Sequence, residues 1–307
     1  MMVDGGTICS RLAARAHPPS TFNRYLFDMG IFSRPPFTSD KKREFPEGLW
    51  QKCPSCAEMI HNLELVQNHR VCPKCDYHFT QSARERLEML LDPQTFEEHD
   101  AAMVSVDTLK FTGMASYSER LKTYQKKTGL KDAVLTGTGK IDEQPLSIAV
   151  MDFNFIAATM GSVVGEKLTR CVERATEQRI PVVIVSASGG ARMYEGMLSL
   201  LQMAKTSGAL ALHAQARLPY ISVLTNPTTG GVSASFATLG DVILAEPGAM
   251  VGFAGPRVIR ETTHQDLPPD FQTAEFLEEH GLIDMIVPRR KLRETLSTLI
   301  GYLAPAE

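Results

Sequence analysis

The sequence predicts an α/β fold built from repeated units of buried strand, glycine turn and helix, and two stretches carry that prediction. The first is Val182 to Leu201, Val-Val-Ile-Val-Ser-Ala-Ser-Gly-Gly-Ala-Arg-Met-Tyr-Glu-Gly-Met-Leu-Ser-Leu-Leu. Val182 to Val185 are four β-branched residues without polar alternation, as in a strand covered on both faces, and Pro181 stops any preceding helix. Gly189-Gly190 permit a sharp turn, and Met193, Met197, Leu200, Leu201 and Ala204 fall at the spacing of one buried helical face. The second stretch repeats the plan about forty residues later: strand Pro219 to Thr225, turn Thr228-Thr229-Gly230-Gly231, and a small-residue helical start from Val232 to Leu239.

A helix start presents unpaired N–H groups and a partial positive charge, which suits an oxyanion. A single such turn reads better as a tight connection that touches no ligand. Two of them favour a role in binding carbonyl or enolate oxygens.

With 307 residues, 43% hydrophobic and 22% charged, the chain has apolar material for one large core, or one core and a small module. Its net charge of −3 lacks the basic excess of a protein that lives on nucleic acid. No apolar run reaches the roughly 18 to 20 residues needed to span a bilayer. Six cysteines in a chain this long do not make a disulfide scaffold, so a reducing, cytoplasmic location is expected. Cys171 lies in a helical pattern and reads as a small buried hydrophobe; Cys9 is left over.

Taken in order, residues 1–28 show no sustained period and read as an unstructured leader or a mis-assigned start, with Met29 an alternative beginning and a transit peptide the weaker reading. Residues 34–46 are polar and proline-bearing, hence extended or disordered. Cys53-Pro-Ser-Cys56, fifteen residues, then Cys72-Pro-Lys-Cys75 is a metal spacing: two knuckles each offer two thiolates and together complete a tetrahedron. Four sulfurs leave no place for water, so the zinc is structural, and His61, His69 and His78 are not needed as ligands. Ile60 to Val71 and Tyr77-His78-Phe79 suit short hairpins of a zinc ribbon. Between 41 and 80, six basic residues against five acidic ones offer phosphates little beyond Lys41-Lys42-Arg43, which favours a lid or docking module over nucleic-acid binding.

Ser82 and Glu85 have capping-box spacing ahead of a helix with Ala83, Leu87, Leu90 and Leu91 on one face, ended by Asp92-Pro93. Tyr117 to Lys127 reads as a surface helix, solvated or reaching towards anionic ligand groups. Val134 to Thr138 and Leu146 to Phe153 are strands around a turn at 142–145, and Ala157 to Gly165 leads into a helix through Arg179. Asp241 to Glu246, Ala249 to Phe253 and Asp284 to Val287 are further strands. Gly252 to Arg257 is a loop, and Thr273 to His280 and Lys291 to Leu303 are helices.

Side-chain chemistry is scarce. Ser188 and His213 invite a hydrolase reading, but a helix from about Arg192 would put His213 roughly 30 Å from the turn at about 1.5 Å per residue. Asp152, Glu166 and Glu195 are not paired by any spacing. Arg192 in a first helical turn opposes the dipole and needs an anion; Glu195 is favoured over a ligand. Backbone donors remain, and these suit acyl thioesters, whose α-carbon loses a proton only if the enolate oxygen is stabilised.

Cys53-x2-Cys56-x15-Cys72-x2-Cys75, Ser186-Ala-Ser-Gly-Gly-Ala-Arg-Met193, Thr228-Thr-Gly-Gly-Val-Ser-Ala-Ser235 and Gly252-Phe-Ala-Gly-Pro-Arg257, in this order, resemble the carboxyltransferase beta subunits of bacterial acetyl-CoA carboxylase, from about Met29 to Ile300. The resemblance implies a crotonase-like spiral of strand-strand-helix repeats over residues 81–307, behind an N-terminal segment and zinc ribbon over 29–80. It implies carboxyl transfer from carboxybiotin, on biotin carboxyl carrier protein, to acetyl-CoA, giving malonyl-CoA for fatty acid synthesis, with biotin taking the proton. Gly230 and Gly231 are then backbone oxyanion donors, and Gly189, Gly190 and Ala191 line the acyl-CoA side. The implied partners are an alpha subunit of similar fold in an α2β2 assembly, the carrier protein and biotin carboxylase; the chain alone would be inactive. Two other readings stand beside it: a stand-alone crotonase-type acyl-CoA hydratase or decarboxylase, and a zinc-ribbon nucleic-acid-binding regulator.

Overall fold

A computed structural model describes residues 49–113 and 115–303. The expectations for residues 1–28, for the polar stretch before the ribbon and for Cys9 fall outside the described residues. In the ribbon, β1 (Trp50–Lys52) and β2 (Met59–His61) pair antiparallel around the first cysteine knuckle. A bridge between Val71 and His78 closes the second. Between them the expected hairpin gives way to a short helix, α1 (Asn62–Gln67), because His61 caps it, its Nδ1 accepting the Leu63 N–H at 3.2 Å. Cys53, Ile60, Leu65, Cys72 and Phe79 form a small core of their own.

α2 (Ala83–Leu90) starts with the expected Ser82–Glu85 capping box and buries Ala83, Leu87 and Leu90, but Arg86 is buried with them. β3 (Glu97–His99) and α3 (Tyr117–Thr128) precede a hairpin of β4 (Val134–Ile141) and β5 (Gln144–Met151). Asp142 and Glu143 join them, both at positive φ, the turn sense that matches strand twist. α4 (Ser162–Gln178) then crosses to β6 (Val182–Ser188), and α5 (Met197–Gln215) crosses to β7 (Tyr220–Thr229). The chain finishes with α6 (Gly230–Ser233), β8 (Val242–Ala245), β9 (Val251–Gly252), α7 (Pro256–Thr263), α8 (Ala274–Glu279), β10 (Met285–Ile286) and α9 (Leu292–Leu303). α7 begins inside the loop expected over Gly252 to Arg257, with proline at its first position.

The main sheet runs β10-β8-β7-β6-β5-β4-β3, antiparallel at the β3 end and parallel from β5 onward, with β9 paired to the end of β7. Ser188 pairs with Thr228, so β6 and β7 finish side by side and the glycine turns that follow them meet.

α5 departs from the sequence reading twice. It begins at Met197, after a 3-10 turn over Met193–Glu195 and Gly196 at φ 52°, rather than at Arg192. Its predicted buried face is also the outer one: Met193, Met197, Leu200 and Leu201 are 78%, 66%, 50% and 56% exposed. The inner face carries Ser199, Gln202, Thr206, Ala209, Leu210 and His213 instead. Small and polar residues serve there because α4 comes close: Gly165 leaves the room that Gln202 fills.

One ion cluster joins the ribbon to the sheet. Glu246, fully buried after β8, accepts from Arg86 of α2 and from Arg289 at 2.8 and 2.6 Å. Arg289 Nη1 also donates to the carbonyls of His69 and Phe79, each at 2.9 Å. Burial alone would raise the Glu246 pKa, but the two guanidinium groups hold it far below the usual carboxylate range. Glu246→Ala would leave two buried cations unpaired. A loss of about 3–5 kcal/mol is expected, read as a lowered urea midpoint.

Candidate active site and metal centre

Where β6 and β7 end, two backbones touch. Gly190 has φ 105° and Gly230 φ 63°, both in the region that side chains avoid. A Cβ on Gly230 would lie 2.9 Å from the Gly190 Cα, and one on Gly190 would lie 3.2 Å from the Gly230 Cα. Gly231 is hemmed in differently: a Cβ there would meet Met203 Sδ at 3.1 Å and the Ala191 Cβ at 3.4 Å. All five predicted residues, Gly189, Gly190, Ala191, Gly230 and Gly231, therefore converge on one spot.

Their N–H groups differ in what they already do. Gly189 donates to the Ala157 carbonyl at 2.8 Å, Gly190 to Ser188 Oγ at 3.0 Å, and Gly230 to the Phe253 carbonyl at 3.0 Å. Among the described residues no acceptor faces the N–H of Ala191 or Gly231. Both nitrogens flank the glycine contact, Gly231 N at 3.5 Å from a Cβ position on Gly190 and Ala191 N at 3.8 Å from one on Gly230. The helix-dipole element of the sequence reading does not hold at the first turn, since α5 starts only at Met197. The Ala191 donor is a loop amide held in place by packing, whereas the Gly231 donor lies in the first turn of the short helix α6.

The side chains singled out in the sequence are each engaged in structural contacts. Ser188 Oγ donates to the Ala158 carbonyl at 2.7 Å. His213 is a core histidine, 2.8 Å from Thr176 Oγ1, and burial holds its pKa below 6.5. Asp152 accepts the Ala83 N–H, Glu166 pairs with Arg170 and Lys205, and Glu195 accepts from Tyr117 Oη and the Ser162 N–H. Arg192 does have an internal partner, but the main one is Asp132 at 2.7 Å, with Glu195 at 3.5 Å. No local spacing could have pointed to Asp132; only the need of a buried cation for an anion signalled that a partner existed.

In the ribbon, Cys53, Cys56, Cys72 and Cys75 bring their sulfurs within 4.8 Å of one another. Cys53 and Cys75 are 3.6 Å apart and Cys56 and Cys72 3.8 Å. A tetrahedral zinc with sulfurs at about 2.3 Å demands edges of about 3.8 Å, so the donor set fits. His61 and His78 are engaged elsewhere, capping α1 and accepting the Arg289 N–H. The Tyr77 N–H draws the Cys75 thiol down to about 6. Cys56, against the pull of the Glu58 N–H, is pushed up to about 12 by burial and the neighbouring sulfurs.

Residues 80–275 match the carboxyl transferase domain and residues 50–75 the acetyl-CoA carboxylase zinc finger domain. The chain is 56% identical over 274 residues to the acetyl-coenzyme A carboxylase carboxyl transferase subunit beta of Opitutus terrae, covering 89% of this chain and 94% of that one. The chain belongs to the acetyl-CoA carboxylase carboxyltransferase beta-subunit family. The family member from Methylacidiphilum infernorum is 55% identical, with 87% and 96% covered. Among solved structures, transcarboxylase 12S shares the fold with a TM-score of 0.61 and 29% identity, over 72% of this chain and 41% of that longer one. The Pseudomonas malonate decarboxylase heterodimer shares it with a TM-score of 0.57 at 23% identity, over 74% of this chain and 89% of that one. As a member of the family the chain is a carboxyltransferase, with a structural zinc ribbon ahead of a crotonase-like α/β domain.

Cys72→Ser is expected to cost the zinc, measured as metal per chain; stoichiometric zinc in that variant would refute the four-sulfur site. Because Cys56 holds its proton in the metal-free tetrad, zinc binding at neutral pH releases protons. Affinity should therefore rise with pH and fall on acidification, as a competitive chelator titration at two pH values would show.

Proposed function

We propose that this chain is the beta subunit of an acetyl-CoA carboxylase carboxyltransferase that moves a carboxyl group from carboxybiotin, on biotin carboxyl carrier protein, to the methyl carbon of acetyl-CoA, giving malonyl-CoA. One observation carries the site assignment: two open N–H groups flank a contact of two glycine turns, with no acid–base pair of side chains beside them among the described residues. Such a pair of donors stabilises the thioester oxygen as charge moves onto it when the methyl group loses its proton. The biotin ureido group supplies the carboxyl and takes that proton, so no side-chain base is required.

The donors in this reading are Gly231 and Ala191. Gly230 and Gly190 act by conformation, since their own N–H groups are occupied and their missing Cβ atoms let the turns touch; Gly189 lines the same acyl-CoA side. The working division is residues 29–80 as N-terminal segment and ribbon and 81–307 as catalytic domain, in the cytoplasm; no described helix is long and apolar enough to cross a membrane.

An alpha subunit of similar fold is the proposed partner, in an α2β2 assembly served by the carrier protein and biotin carboxylase. The exposed Met193, Met197, Leu200, Leu201 and Leu212 support it, because an apolar band beside a reaction centre marks a surface meant to be covered. Native mass spectrometry with and without the alpha subunit, followed by a malonyl-CoA assay on the mixture, tests the whole reading. One zinc per chain and turnover only in the mixture is the expected result; turnover by the lone chain would overturn the partner requirement. Gly231→Val would drive a branched Cβ into Met203 and Ala191, and a loss of at least about 100-fold in kcat is expected with zinc content unchanged.

A further inference from the structure

Arg192 follows one of the two open donors directly and is among the largest side chains with almost no exposure. Nη2 donates to Asp132 Oδ1 at 2.7 Å and to the Thr159 carbonyl at 2.8 Å. Nη1 donates to Tyr117 Oη at 2.9 Å, Ser105 Oγ at 3.1 Å and Asp132 Oδ2 at 3.2 Å, and Nε to Thr159 Oγ1 at 3.3 Å. A guanidinium has five N–H donors, so nothing is left over for a substrate anion. Its acceptors come from the loop before α3, the start of α3, the turn before β4 and the turn before α4. Met160 grips the backbone on both sides of Ala191: its N–H donates to the Gly190 carbonyl at 2.8 Å, and its carbonyl accepts the Arg192 N–H at 2.9 Å. Glu195 ties the same knot from the far side, accepting from Tyr117 Oη at 2.5 Å and the Ser162 N–H at 2.6 Å.

A buried ion pair seldom improves stability over apolar packing, because both charges must lose their water. What this one does is orient, since a planar fork held at both ends permits one placement of the adjoining peptide. We propose that Arg192 is a positioning residue for carboxyl transfer: with Asp132 it fixes the Gly190–Ala191 peptide so that the Ala191 N–H stays beside the Gly231 N–H. The inference rests on the reading of those two amides as oxyanion donors.

The test uses the full chain assembled with its alpha subunit, as wild type, Arg192→Lys and Tyr117→Phe, with kcat, acetyl-CoA KM, zinc content and thermal midpoint measured on the same samples. Lysine keeps a charge opposite Asp132 but has no fork. A fall in kcat of about 100-fold, the effect of losing one oxyanion donor, is expected for Arg192→Lys, with KM within about threefold. Tyr117→Phe removes one of the bonds that hold Arg192, together with the Tyr117–Glu195 bond, and keeps the Asp132 ion pair; a fall of at least about fivefold in kcat is expected, the effect of one ordinary hydrogen bond. A folded, zinc-loaded Arg192→Lys with wild-type kcat overturns the proposal, as does one in which only KM rises. Should Arg192→Lys fail to fold, wild-type kcat in Tyr117→Phe overturns it. A wild-type assembly that forms no malonyl-CoA sinks the underlying reading instead, and is seen before any variant is made.

Discussion

The approach of Gly190 to Gly230 is the constraint on which the site depends. Two strands of a parallel sheet lie about 4.8 Å apart, and their connections normally diverge to make room for side chains. Here the chains leaving β6 and β7 converge, because neither residue has a Cβ and both adopt positive φ. The contact places the Ala191 and Gly231 amides on either side of it. Everything else supports that placement: the parallel register of β6 and β7, the Phe253 carbonyl that holds Gly230, and the Met160 backbone that holds the first turn.

Much of this was legible in the sequence, for identifiable reasons. Strand β6 announced itself through an unbroken β-branched run, and the metal site through the spacing of two knuckles, both of them local signals. α5 was misread because periodicity reports an apolar face without saying what covers it. Met197, Leu200 and Leu201 are spaced like core residues, yet they point away from a neighbour packed through Ser199, Gln202 and Thr206. The buried charges were missed for the opposite reason. Asp132 lies sixty residues from Arg192, and Arg86 and Arg289 lie far from Glu246 on either side, so only the folded chain brings each set together.

Those two ionic clusters divide the molecule between them. Glu246 with Arg86 and Arg289 anchors the ribbon, since Arg289 spans from the carboxylate to the ribbon carbonyls of His69 and Phe79. Arg192 with Asp132 and Glu195 gathers α3, the start of β4 and the turn into α4 around the first glycine turn. Both are closed to solvent, and in both a guanidinium fork, rather than an ammonium, makes several directed bonds at once.

Peptide donors also change how such a centre decays under mutation. An active site of histidine, aspartate and serine is lost by truncation, one side chain at a time. In the proposed site truncation has little to remove: one proposed donor already belongs to an alanine and the other to a glycine. Harm comes from added bulk, or from proline, which deletes the N–H itself. Under that proposal, variation at this spot would be filtered by size rather than by chemical type, and an alanine scan would pass over one of the two proposed donors without registering it.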